Sequence, residues 1–118
     1  MDPFTIALAF SFFGAVAVAT VAITFRKIYD WFRARGQIKT ENSSAIAFTL
    51  AERMNNRKYA EVHGVFGNRP SNTRIIQGFY DPYQNRIIQA RGLASSTPPA
   101  DQAVIRRHDE GDGLVIYT

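Results

Sequence analysis

From Pro3 to Phe25 the chain carries no charged side chain. As a helix rising 1.5 Å per residue, Phe4–Phe25 would extend about 33 Å, against about 30 Å for the hydrocarbon core of a bilayer. The run has no polar face, so such a helix would be buried on every side. The rest of the chain is too short to surround it, and the pattern therefore predicts a transmembrane span. Two competitors are a helix buried between subunits and a cleaved signal peptide. The latter fits poorly, because Asp2 stands where signal peptides carry Lys or Arg. Within the span, Ala7, Ser11, Ala15 and Ala19 recur every fourth residue, and Gly14 and Ala22 widen this ridge of small side chains. In lipid, close backbone approach along such a groove is what pairs helices, so these six are the expected helix–helix packing residues.

Beyond the span, Arg26–Arg35 continues without a breaker as far as Gly36. Phe25, Ile28, Tyr29 and Phe32 form an apolar stripe along it. Tyr29, Trp31 and Phe32 suit the headgroup level of a bilayer, and Arg26, Lys27, Arg33 and Arg35 would attract anionic lipid. These seven are the expected membrane-interface residues. The cations follow the span and only Asp2 precedes it. The positive-inside rule then places the N-terminus outside and the rest of the chain in the cytoplasm.

The remaining pattern alternates between periods. Ile46, Ala47, Leu50, Ala51 and Met54 fall at helical spacing and predict an amphipathic helix over 45–58, with Phe48 off its stripe. Tyr59–Phe66 reads as a strand and 67–72 as a turn-rich loop. Arg74-Ile75-Ile76-Gln77 is echoed by Arg86-Ile87-Ile88-Gln89 across Asp81-Pro82-Tyr83-Gln84-Asn85, which predicts a β-hairpin. Gly92–Thr97 reads as a connector. A short helix through Ala100, Ala103, Val104 and Arg107 follows, then a last strand, Leu114–Tyr117. The expected fold class is α+β: a single N-terminal transmembrane helix, then a small domain of about four strands and two helices. The boundaries are 1–36 for the span and its basic extension, 37–43 for a connector and 44–118 for the cytoplasmic domain.

Composition alters this picture in two respects. The chain has 118 residues with 14 Lys+Arg and 10 Asp+Glu, a net charge of +4. A basic excess first suggests nucleic acid, but here it is concentrated in residues 26–39, and the remainder is nearly neutral. That is not the footprint of a phosphate-binding surface, and no nucleic-acid partner is expected. The chain has no cysteine, which excludes disulfides, thiolate metal sites and a thiol nucleophile.

Chemistry-bearing motifs are sparse. His63 and His108 have no metal-ligand spacing, and His108 is expected to cap a helix end in its charged form. The cluster Asp109-Glu110-Gly111-Asp112-Gly113 lacks the length and terminal Glu of a calcium loop and reads as a turn. Neither a metal nor another cofactor is expected, nor enzymatic activity. The expected role is a membrane-anchored, single-pass accessory or adaptor subunit that binds a protein partner through its cytoplasmic domain. Arg74, Tyr80, Tyr83, Arg86 and Arg91 on the hairpin are the candidate partner-binding residues. The alternative is a homo-oligomeric membrane protein, channel-like or membrane-disrupting, self-associating through the small-residue ridge. A third reading is a small-ligand sensor using the sheet face with Tyr80, Tyr83 and Tyr117.

Overall fold

The apolar run does not form one helix. The computed structural model describes residues 2–13, 16–54, 57–59, 62, 65–66, 73–95 and 100–117. The run divides into helix α1 (Pro3–Phe10), strand β1 (Val18–Val21) and the start of helix α2 (Phe25–Ala34). Asp2 caps α1 by accepting hydrogen bonds from the Phe4 and Thr5 amides at 2.7 and 3.1 Å, with Pro3 in the first turn. Ser11 closes it, its Oγ donating to the Leu8 carbonyl at 2.6 Å. Thr24 then caps α2, its Oγ1 accepting from the Lys27 amide. Among the described residues no helix is long and apolar enough to cross a membrane. The expected transmembrane helix is thereby corrected. So is the expected placement with the N-terminus outside and the following domain cytoplasmic, since the charge asymmetry has no span to orient.

The remaining elements are α3 (Gln37–Glu41), β2 (Ile46–Met54), β3 (Arg57–Lys58), β4 (Arg74–Asp81), β5 (Arg86–Ser95), α4 (Gln102–Glu110) and β6 (Leu114–Tyr117). The strands form one mixed six-stranded sheet in the order β1-β5-β4-β2-β3, with β6 also on the outer edge of β2. The predicted hairpin is present as β4 and β5, antiparallel with Asp81 opposite Arg86. Its second strand runs on through Gly92 to Ser95, where a connector was expected, because β1 pairs with that stretch in parallel. The predicted helix over 45–58 is instead β2, paired with β4 on one side and with β6 and β3 on the other. Of the strand expected over 59–66, residues 60, 61, 63 and 64 lie outside the described residues, and Tyr59, Val62, Val65 and Phe66 belong to no strand.

Helices cover both faces of the sheet. On one, Ile6, Ala9 and Phe10 of α1 pack against Phe48, Leu50, Ile76 and Tyr80. On the other, Ile28 of α2 and Val104 of α4 meet Ala51, Ile75 and Leu93. Trp31 and Phe32 of α2 pack on Phe79 beside them. A strand covered on both faces is apolar at successive positions, and this explains β2. Up to Ala51 its odd positions face α2 and α4 and its even positions, Phe48 and Leu50, face α1; a bulge between Ala51 and Arg53 then turns Met54 to the α2 and α4 side, and the summed pattern mimics a helix. Phe48, which strays from the helical stripe, is fully buried. The outward side of α1 leaves Phe4 and Leu8 73% and 61% exposed, and Phe12 in the turn that follows is 85% exposed.

Candidate functional site

Helix α2 lies across the sheet so that its two flanks serve different surroundings. Phe25, Tyr29, Phe32 and Arg33 look toward β6 and α4, and Lys27, Trp31 and Arg35 toward β1 and β5. On the first flank is a cleft of about 600 Å³. Its walls are aromatic: Phe25 stacks on Tyr29 at 5.7 Å, Tyr29 meets Tyr117 edge-on at 5.8 Å, and Phe32 bridges Tyr117 and Phe79. Val115 and Ile116 of β6 continue the apolar surface. The charged residues lining it are Arg33 from α2, Lys39 from α3 and Arg107 from α4, and all three are cations. Arg33 also reaches Asp30 at 3.4 Å in an exposed pair, which leaves the positive balance of the cleft intact.

A buried polar chain underlies the cleft. His108 lies against the Val104 carbonyl, 2.7 Å from its Nδ1, and Thr49 Oγ1 is 2.7 Å from its Nε2. A carbonyl only accepts, so Nδ1 carries the proton and Nε2 is the acceptor. The Thr49 hydroxyl therefore donates to His108, and its oxygen accepts from the Tyr117 hydroxyl at 2.6 Å. Burial drives the imidazole pKa down to about 4, so the ring is neutral near pH 7. Burial also raises the Tyr117 phenol above its ordinary value. With its proton committed to Thr49, the Tyr117 oxygen offers the cleft only lone pairs. An anionic head would be repelled there and favoured at the Arg33, Lys39 and Arg107 end. His108, expected as a charged helix cap, is thus an uncharged core residue.

The sequence-derived sites are dispersed by the fold. Of the small-residue ridge, Ala7 lies in α1, Ser11 caps it, Ala19 lies in β1 and Ala22 follows β1. They share no helix face, and Gly14 and Ala15 lie outside the described residues. Of the seven residues expected at a membrane interface, all on α2 and its C-terminal cap, Tyr29, Trp31 and Phe32 pack into the aromatic layer against the sheet. Arg26 and Arg33 are exposed, while Lys27 and Arg35 border the opposite flank. The hairpin residues do not converge either. Arg74 and Arg86 begin antiparallel strands and stand at opposite ends of the hairpin. Arg74 is ion-paired to Glu52 at 3.0 Å. Tyr80 is buried and its hydroxyl donates to Asn85 Oδ1, Tyr83 projects from the turn, and Arg91 sits beside Trp31.

Sequence reasoning missed Phe25, Lys39 and Arg107 as members of one site, though it named Tyr117 for a ligand-binding reading. Their common signal is composition alone, aromatic and basic residues on three separate helices, which no spacing rule joins. Among the described residues no group of three or more His, Asp or Glu side chains is arranged to hold a metal ion. Compared with protein-family models, with curated proteins and with solved structures, the chain matches none.

Proposed function

We propose that this chain is a non-catalytic binding module for a small amphipathic anion, an apolar body carrying one carboxylate-type head. One observation supports the reading above all: an aromatic cleft whose charged residues are cations from three different helices. Its volume of about 600 Å³ is within the usual range of small-molecule sites, roughly 300–1,000 Å³. Apolar burial supplies affinity, and the cationic end fixes the direction in which the ligand lies. The Tyr117 oxygen, held by Thr49 as an acceptor, disfavours the reverse orientation.

The test is calorimetric titration of the full chain with dodecanoate, with dodecanol and dodecyltrimethylammonium as neutral and cationic counterparts. Dodecanoate is expected to bind at least tenfold more tightly than either. Arg107→Glu, an exposed substitution on α4, is expected to weaken dodecanoate by at least tenfold while leaving the dodecanol affinity within about twofold. Equal binding of all three amphiphiles, or no effect of Arg107→Glu, overturns the reading.

A further inference from the structure

The other flank of α2 carries a second, independent arrangement. Arg35 and Arg91 both lie over the indole of Trp31, their guanidinium carbons 4.1 and 5.4 Å from its centroid. Arg91 is fixed from behind. Its Nε donates to Gln77 Oε1 at 2.8 Å, and Gln77 in turn donates from Nε2 to the Ile28 carbonyl at 2.7 Å. Its Nη2 donates to the Lys27 carbonyl at 3.2 Å. Arg35 is held by one bond, Nη1 to the Trp31 carbonyl at 3.3 Å, while its Nε is buried without a hydrogen-bond partner. Among the described residues neither guanidinium has an ion-pair partner. Asp30 lines an adjoining hollow with Lys27, Trp31 and Arg91, but its ion pair is with Arg33 and it does not line the cleft that Arg35 and Arg91 share.

Two cations gathered on one ring without a counter-ion repel each other. Partial burial lowers the Arg91 pKa from its ordinary value, and the proximity of Arg35 adds to that effect. Such a pair is stabilised when a dianion bridges it, because guanidinium forks match oxyanion edges and one dianion neutralises both charges. The opposite wall is apolar, formed by Ala17, Val18 and Ala19 at the free edge of the sheet. An inorganic ion would leave that wall unused, whereas an organic group attached to the phosphate would cover it.

We infer that the cleft of about 370 Å³ between Trp31 and β1 binds a phosphate monoester, its dianionic group bridging Arg35 and Arg91 and its organic part lying on Ala17–Ala19. This site uses none of the residues that carry the proposed amphiphile cleft and stands or falls separately.

Trp31 is the one tryptophan in the chain, so its fluorescence reports the site directly. The full chain is titrated at pH 7.5 and constant ionic strength with phenyl phosphate, inorganic phosphate and acetate, following Trp31 emission and Tm. Phenyl phosphate is expected to give a saturable change in emission and a rise in Tm. Its half-saturation is expected at least tenfold below that of acetate and at least threefold below that of inorganic phosphate. Arg35→Gln is expected to raise the phenyl phosphate midpoint at least tenfold. Arg91→Lys, which keeps the charge but loses the fork, is expected to raise it at least threefold and guards against a misfolded Arg35 variant. A null titration means that the arginines only brace the indole, and it overturns the inference. Equal midpoints for acetate and phenyl phosphate, or for inorganic phosphate and phenyl phosphate, overturn the monoester assignment.

Discussion

His108 concentrates the residue-scale physics of this protein. Its proton sits on Nδ1, Thr49 donates to Nε2, and the ring is neutral because charging it would bury a cation among apolar side chains. In the unfolded chain the same imidazole titrates near 6.5, and in the fold at about 4. Between those values the unfolded state binds the extra proton, so stability falls as pH drops from about 6.5 to about 4 and levels off below. The shift corresponds to about 3 kcal/mol. Urea unfolding at pH 7 and pH 4.5 should show a loss of that order, in part shared with the carboxylates, and His108→Gln should remove the imidazole's portion. A pH dependence unchanged by the substitution would contradict the assignment. From the sequence, His108 is a residue near the end of a helix. Its partner Thr49 stands 59 residues away from it, and Thr49 in turn is 68 residues from Tyr117, separations that no local pattern spans.

At the scale of elements, legibility followed how many faces of each element are covered. The β4–β5 hairpin and the α4–β6 pair were readable because their turns carry the signals: Asp81-Pro82 at one, and Gly111 to Gly113 at the other. Asp112 and Gly113 there adopt φ of 53° and 95°. Strand β2 was not readable, because its two buried faces superimpose into helical spacing. The N-terminal run was misread for a related reason. Uniform hydrophobicity concealed a change of period, although Asp2-Pro3 before α1 and Thr24 before α2 are both helix-start residues. The alternation of Val16, Val18 and Thr20 with alanines is a strand signal inside that run. The hairpin also depends on one missing side chain. A Cβ at Gly78 would lie 2.6 Å from the Gln89 carbonyl oxygen and 2.9 Å from the Ala90 Cβ on the paired strand. Because that obstacle is backbone in mid-sheet, Gly78→Ala should destabilise by about 2 kcal/mol or more, measured by urea unfolding. A loss under about half a kcal/mol would mean that the sheet yields there.

For the whole molecule, the net charge of +4 acquires a different meaning from the one its position first suggested. The cations after residue 25 collect along a helix laid over a sheet, and that helix divides them between its flanks. Arg33 faces the aromatic cleft with Lys39 and Arg107, while Arg35 faces Trp31 with Arg91. Neither grouping was legible beforehand. Each is assembled from elements whose adjacency depends on strand order, and the strand order places β1 and β6 at opposite edges of the sheet.

The parallel pairing of β1 with the end of β5 carries a consequence for how the molecule assembles. Val18 meets Gly92 across about seventy residues of chain, while the β4–β5 hairpin closes locally. Loop-closure entropy therefore orders the events, with the central hairpin forming early and the N-terminal strand docking onto its completed edge. The same asymmetry governs fluctuations of the finished protein. Amides of β4 should exchange with solvent at least tenfold more slowly than those of β1 in a native-state hydrogen-exchange experiment. Equal protection of the two strands would indicate a single cooperative unit. If β1 is the looser one, the wall facing Trp31 is lost whenever β1 undocks, and the affinity of that flank for any occupant falls with the fraction of time that β1 spends undocked.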